Sequence, residues 1–235
     1  MSNDRRQFLA SATTLGLAGF AAAAAPAWGD EAKKQKPEEE VGALEDLMRE
    51  HGVLNRVLLI YEEGLRRLRA KEDVGPEVFH KTATLVRKFV EDYHERLEEK
   101  FIFPEFEKRK KLTDLVKVLR KQHQAGRAVT GVVLRLAEGD RFRKENNRKK
   151  LVKAVRAFIR MYRPHEARED TVLFPALHKI LPAKRLNELG EQFEKEEDRL
   201  FGDEGFEKTV DQVAGIEKQL GIYDLDKFTP KVGKK

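Results

Sequence analysis

The chain has 235 residues, enough for one sizeable domain with extensions, and its 37% charged residues with a mean hydropathy of −0.63 suit long amphipathic helices. Cysteine is absent, so disulfides, thiolate nucleophiles and cysteine-held zinc or iron–sulfur clusters are excluded. The formal charge is +6, with basic clusters at Lys108 to Lys111 and Arg141 to Lys153; base-stacking aromatics are sparse around both, so they read as solvated helix ends and loop, and no nucleic-acid partner is expected.

In chain order, Asn3-Asp4-Arg5-Arg6-Gln7-Phe8-Leu9 resembles a twin-arginine export signal. A weakly apolar stretch from Leu9 to Ala25 and an Ala25-Pro26-Ala27 cleavage site follow. Residues 1–27 are therefore expected to leave as a signal peptide. Such a stretch, rich in Ala, Gly and Thr, would hold a bilayer poorly, so no stable membrane insertion is expected after cleavage. The resemblance implies the twin-arginine export machinery as a partner, transport in the folded state and a periplasmic destination. Without the leader the charge falls to +5, because Asp4, Arg5 and Arg6 depart. Residues 28–40, charged and carrying Pro37, read as a linker.

From Val41 the pattern turns helical. Leu44, Leu47, Met48, His51, Leu54, Leu58, Tyr61, Leu65 and Leu68 step by three and four, which puts His51 in a buried stripe. Gly75-Pro76 opens a second helix bearing Leu85, Val86, Phe89, Val90, His94, Leu97 and Glu98, and Pro104 is expected to end it at about Phe103. A third helix runs from about Leu112 to Ala137 with His123 inward, and Glu138-Gly139-Asp140 breaks it. A fourth runs from about Asn147 to Phe174 with Tyr162, His165 and Glu169 inward and Pro164 as a point of bending. These elements define an all-α fold, an antiparallel four-helix bundle over residues 41–180. Residues 181–235 add two C-terminal helices, Pro182 to Leu200 with Leu186, Leu189, Phe193 and Leu200 inward, and Phe206 to Leu220.

One short pattern occurs twice. His94 is followed by Glu98 and then Phe103-Pro104; His165 is followed by Glu169 and then Phe174-Pro175. His51 lies 43 residues before His94, and His123 lies 42 before His165, so four imidazoles and two carboxylates sit on an internal duplication. One copy is expected by chance in roughly two chains in a thousand, and a second at the repeat offset removes coincidence. On a helix, positions i and i+4 project from one face, so each His-x-x-x-Glu is a pre-aimed ligand pair. His51 and His123 face inward from the other two helices. Mixed imidazole and carboxylate suits iron, manganese or zinc, and a carboxylate-bridged pair in a helical bundle favours iron. The expected site is His51, His94, Glu98, His123, His165 and Glu169 around two non-haem iron ions.

The His-x-x-x-Glu order, reversed relative to the Glu-x-x-His of ferritin-like bundles, resembles the hemerythrin or HHE cation-binding family over about Leu44 to Leu177. The resemblance implies a di-iron centre that meets O₂, NO, a peroxide or a related small molecule, or that holds iron itself; a di-iron peroxidase, oxidase or NO-handling enzyme is the alternative. Two positions depart from the oxygen carriers of that family. Arg127 stands where they have another His, and Glu169 rather than Asp170 is expected to bridge, since position i+5 points about 140° away from His165 on an α-helix. Arg127 is expected either to meet a bridging carboxylate or bound ligand or to form a salt bridge at the bundle end. Glu95 and Glu166, next to the histidines, are expected outside the ligand set, Tyr162 and Asn55 are expected to be ordinary neighbours, and His80 and His178 to be peripheral.

Overall fold

The computed structural model describes residues 42–232, so the expected signal peptide and linker lie outside the described residues. Six helices are present and no strand occurs among the described residues. Helix α1 is Ala43–Ala70 and ends on Lys71 in the left-handed conformation. Helix α2 starts with Pro76 in its first turn, where the missing N–H costs nothing, and covers residues 76–109. Helix α3 is Thr113–Leu136, α4 covers residues 145–180, α5 is Ala183–Phe201 and α6 is Gly205–Leu220.

Helix α1 packs on α2 and α4, and α3 packs on α2 and α4, which closes a four-helix ring. Helices α5 and α6 lie against α1 and α2 and cover that side of the ring. Leu47, Leu54, Phe79, Phe89, Val133, Leu151, Val155 and Phe158 fill the centre, and Leu189 and Phe193 seal α5 onto it. Met48 and Leu200, expected inward, are instead partly exposed at 37% and 40%; each falls at the edge of its helix's apolar stripe.

Two prolines behave differently from expectation. Helix α2 does not stop at Phe103, and α4 does not stop at Phe174; each runs on for a further α-helical segment, Phe103–Arg109 and Phe174–Ile180. The cause is a change of winding just upstream. Glu98–Ile102 and Glu169–Leu173 are π-helical, with Phe103 N–H bonding back to the Glu98 carbonyl and Phe174 N–H to the Glu169 carbonyl, five residues earlier. Pro104 and Pro175 then stand in the first turn of a fresh α segment, where a proline is tolerated. A third π stretch, Val86–His94, lies just upstream in α2 and ends on His94. Pro164 sits inside α-helical Glu145–Arg168.

Candidate metal centre

The six expected residues meet in the centre of the ring, each at most 4% exposed, and Glu98, His123 and Glu169 are at 0%. Offered atoms of Glu98, His123, His165 and Glu169 lie within 4.8 Å of one another, as do those of His51, His94 and Glu98. The imidazoles face in pairs: Nε2 of His51 and His94 are 3.0 Å apart, and Nε2 of His123 and His165 are 3.2 Å apart. Each carboxylate spans both pairs. Glu98 Oε2 is 3.7 Å from His94 Nε2 and 3.5 Å from His123 Nε2. Glu169 Oε2 is 3.1 Å from His165 Nε2 and 3.4 Å from His51 Nε2.

The opposite edge of every ring is held. Facing acceptor oxygens assign the proton to Nδ1: His51 donates to Asp170 at 2.7 Å, His94 to Glu50 at 2.7 Å, His123 to Glu99 at 3.1 Å and His165 to Gln122 at 2.9 Å. That tautomer leaves four Nε2 lone pairs converging on the middle, the arrangement of a carboxylate–histidine–metal relay. Phe174 stacks on the His51 ring at 5.6 Å and Phe103 on the His123 ring at 5.4 Å, which fixes ring planes and keeps water away.

The set also fits a cation by what it leaves unsatisfied. All four carboxylate oxygens of Glu98 and Glu169 are buried with no hydrogen bond among the described residues. Burial and the nearby Glu169 push Glu98 well above the carboxylate range; burial opposes charge on Glu169 too, but His165 and His51 hold it well below that range. Burial takes His94 down to about 3 and His123 down to about 4, whereas at His51 the burial effect is outweighed by Asp170 and Glu169, which lift it to about 10. In the metal-free chain protons on Glu98 and His51 relieve this burial, and a cation that displaces them would meet two carboxylates and four Nε2 lone pairs.

Several neighbours have roles the sequence did not assign. Glu50, Glu99, Gln122 and Asp170 hold the four Nδ1 atoms. Asp170 stays off His165, as position i+5 requires, and its carboxylate instead accepts from Nδ1 of His51 on α1. Arg127 meets neither a bridging carboxylate nor the bundle end. It pairs with Glu95 and Glu99 at 2.8 Å each, and so steadies His123 through Glu99. Tyr162 donates to Glu95 at 2.6 Å, Asn55 donates to the His51 carbonyl at 3.1 Å, and Glu95 and Glu166 are buried. His80 and His178 are exposed and outside the cluster.

The signal for the four supporters was present in the duplication. Glu50 and Gln122 each directly precede a first-helix histidine of their half, 72 residues apart; Glu99 and Asp170 each directly follow a carboxylate, 71 apart. The contacts cross between ring partners: the residue before His51 supports His94, and the residue after Glu98 supports His123.

A closed helical ring with a buried, two-fold-related set of histidines and glutamates defines a cation-binding helical bundle. The hemerythrin HHE cation-binding domain matches residues 42–177, and the chain belongs to that family. It is 51% identical over 196 residues, covering 83% of this chain and 77% of theirs, to the uncharacterized proteins Mb2018 of Mycobacterium bovis (strain ATCC BAA-935 / AF2122/97) and Rv1995 of Mycobacterium tuberculosis (strain ATCC 25618 / H37Rv). No solved structure matches the chain.

Proposed function

We propose that the protein holds two non-haem iron ions on His51, His94, Glu98, His123, His165 and Glu169 and uses them to bind O₂, NO or a related small molecule. The observation that carries this reading is the convergence of four lone-pair Nε2 atoms, each with Nδ1 already engaged, on two carboxylates whose oxygens have no other partner. When bound, the metal pair supplies redox-active coordination chemistry toward such small molecules. The residues divide the remaining work. Each histidine pair serves one ion, and Glu98 and Glu169 reach both pairs. Asp170, Glu50, Glu99 and Gln122 keep the rings in the ligating tautomer. Phe103 and Phe174 exclude water from the His123 and His51 sides. The Arg5-Arg6 segment supports export by the twin-arginine route, with the metal loaded before transport.

The test is iron stoichiometry after anaerobic loading of purified protein. Two irons per chain are expected, falling sharply in His94→Ala and staying at two in His80→Ala. An iron-free wild type, or a His94→Ala variant that keeps both ions, would overturn the assignment. Exposure of the reduced, loaded protein to O₂ or NO, followed in the visible spectrum, then separates reversible binding from one-way turnover.

A further inference from the structure

The outer face between the C-terminal half of α1 and the first half of α4 carries a charge imbalance that the metal centre does not use. Two adjoining hollows of about 370 and 400 Å³ share Leu65, Arg69 and Arg156 and so form one groove. Arg66, Arg148, Lys149 and Arg160 also line it, whereas its only carboxylates, Glu62 and Glu145, are already held by Arg163 at 2.6 Å and Lys149 at 2.7 Å. Among the described residues Arg69, Arg156 and Arg160 form no ion pair and no hydrogen bond. The floor is apolar, with Leu65, Leu68, Val152 and Ile159.

What lies under the groove gives it a purpose. A column of buried aromatic rings runs from the cluster toward this face: His165 to Tyr162 at 5.4 Å, Tyr162 to Phe158 at 4.3 Å and Phe158 to Tyr61 at 5.5 Å. The groove-lining Glu62 and Ile159 directly follow Tyr61 and Phe158, and Leu65 is one turn beyond Tyr61. The free cations therefore stand over the outer end of a packed path to a ligand histidine. Weak redox encounters bury small interfaces, below about 1,200 Å², and depend on charge steering for their rate.

We propose that this groove is the docking face for an acidic one-electron carrier protein that reduces the metal pair, a proposal that rests on the metal-binding reading above. The carrier is oxidised by one electron and the bound metal pair is reduced by one; no bond or proton changes hands at the groove. Acidic side chains of the carrier complement Arg69, Arg156 and Arg160, and its apolar rim meets the leucine floor.

The probe is an acidic plant-type [2Fe–2S] ferredoxin, titrated calorimetrically against the full chain at about 20 mM and about 300 mM ionic strength, where screening lengths differ several-fold. Binding at low salt is expected, weakened at high salt. The double variant Arg156→Glu with Arg160→Glu should bind at least tenfold more weakly and accept electrons from reduced ferredoxin correspondingly more slowly, at unchanged iron content. A double variant with the same charge change on the opposite side, Lys81→Glu with Lys88→Glu beside the hollow between α2 and α6, should retain wild-type affinity. Equal weakening in both variants, salt-independent binding or no binding would each overturn the docking proposal. Because iron content is measured on every sample, an iron-free chain sinks the metal assignment, whereas a loaded chain that ignores the carrier sinks only this proposal.

Discussion

Gly126 offers a sharp test of how tightly the surroundings of the centre are packed. It lies in α3 opposite Tyr162, and a Cβ added there would stand 2.0 Å from the Tyr162 hydroxyl oxygen and 2.9 Å from Cζ. Tyr162 has little room to retreat: it is buried, with Phe158 at 4.3 Å and His165 at 5.4 Å, and its hydroxyl is tied to Glu95. In an ordinary helix position Gly→Ala stabilises by up to about 1 kcal/mol. Against that, overpacking costs about 1–3 kcal/mol. Displacing the hydroxyl from a buried carboxylate costs roughly a further 1.5–3 kcal/mol. The net expectation for Gly126→Ala is a loss of about 1.5–5 kcal/mol, or a Tm of the metal-free protein lower by roughly 3–20 °C at this domain size. Gly131 in the same helix is the control. Its added Cβ would meet only an Arg87 nitrogen at 3.8 Å, so Gly131→Ala should gain about 0.5–1 kcal/mol. Paired thermal melts of the metal-free variants check both. A Gly126→Ala protein as stable as wild type would refute the claim that Tyr162 is locked between Gly126, Glu95 and His165.

Two other substitutions probe the ring around the ligands. Asp170 is one-third exposed at its side chain, so Asp170→Ala opens no core cavity but frees Nδ1 of His51; metal affinity should fall about 10–100-fold, read by competition with a calibrated chelator, and unchanged affinity would remove Asp170 from its assigned role. Burial lifts Glu166 from 4.5 to about 7, so the folded chain keeps a proton that the unfolded chain releases, and this contribution to stability is full below pH 4.5 and declines as pH rises to about 7. Glu166→Gln should therefore gain stability relative to wild type across that window when both are metal-free, and urea-unfolding curves with a constant separation between acidic and neutral pH would contradict the shift.

The buried cluster of histidines and glutamates was legible because its members obey α-helical spacing and recur. His94 with Glu98 and His165 with Glu169 each lie on one face whatever surrounds them, and the duplication supplies the inward histidines of α1 and α3. The winding was not legible. Nothing local in Glu98–Ile102 announces a π segment, because its register shift becomes favourable only when a following proline must be accommodated and the carboxylate above it is drawn to the centre of a ring. Asp170 points away from His165, as α-helical angles require, but only the packing of α4 on α1 brings it onto His51. Arg127 was ambiguous for a related reason. Its partners Glu95 and Glu99 are four apart on α2, so they form a fork only after α2 and α3 have packed.

The duplication also explains why support crosses between the halves. If each half were self-sufficient, the residue before His51 would hold His51. Instead Glu50 reaches His94 and Gln122 reaches His165, each within its own half, whereas Glu99 reaches His123 in the other half and Asp170 reaches back to His51. Phe103 and Phe174 cross in the same sense, each stacking on a histidine of the opposite half. Neither half can therefore orient all of its own histidines: the rings of His51 and His123 are held only once the two halves have closed on each other. Metal binding and closure of the bundle become one equilibrium, so an ion that binds the closed ring stabilises the whole fold in proportion to its affinity.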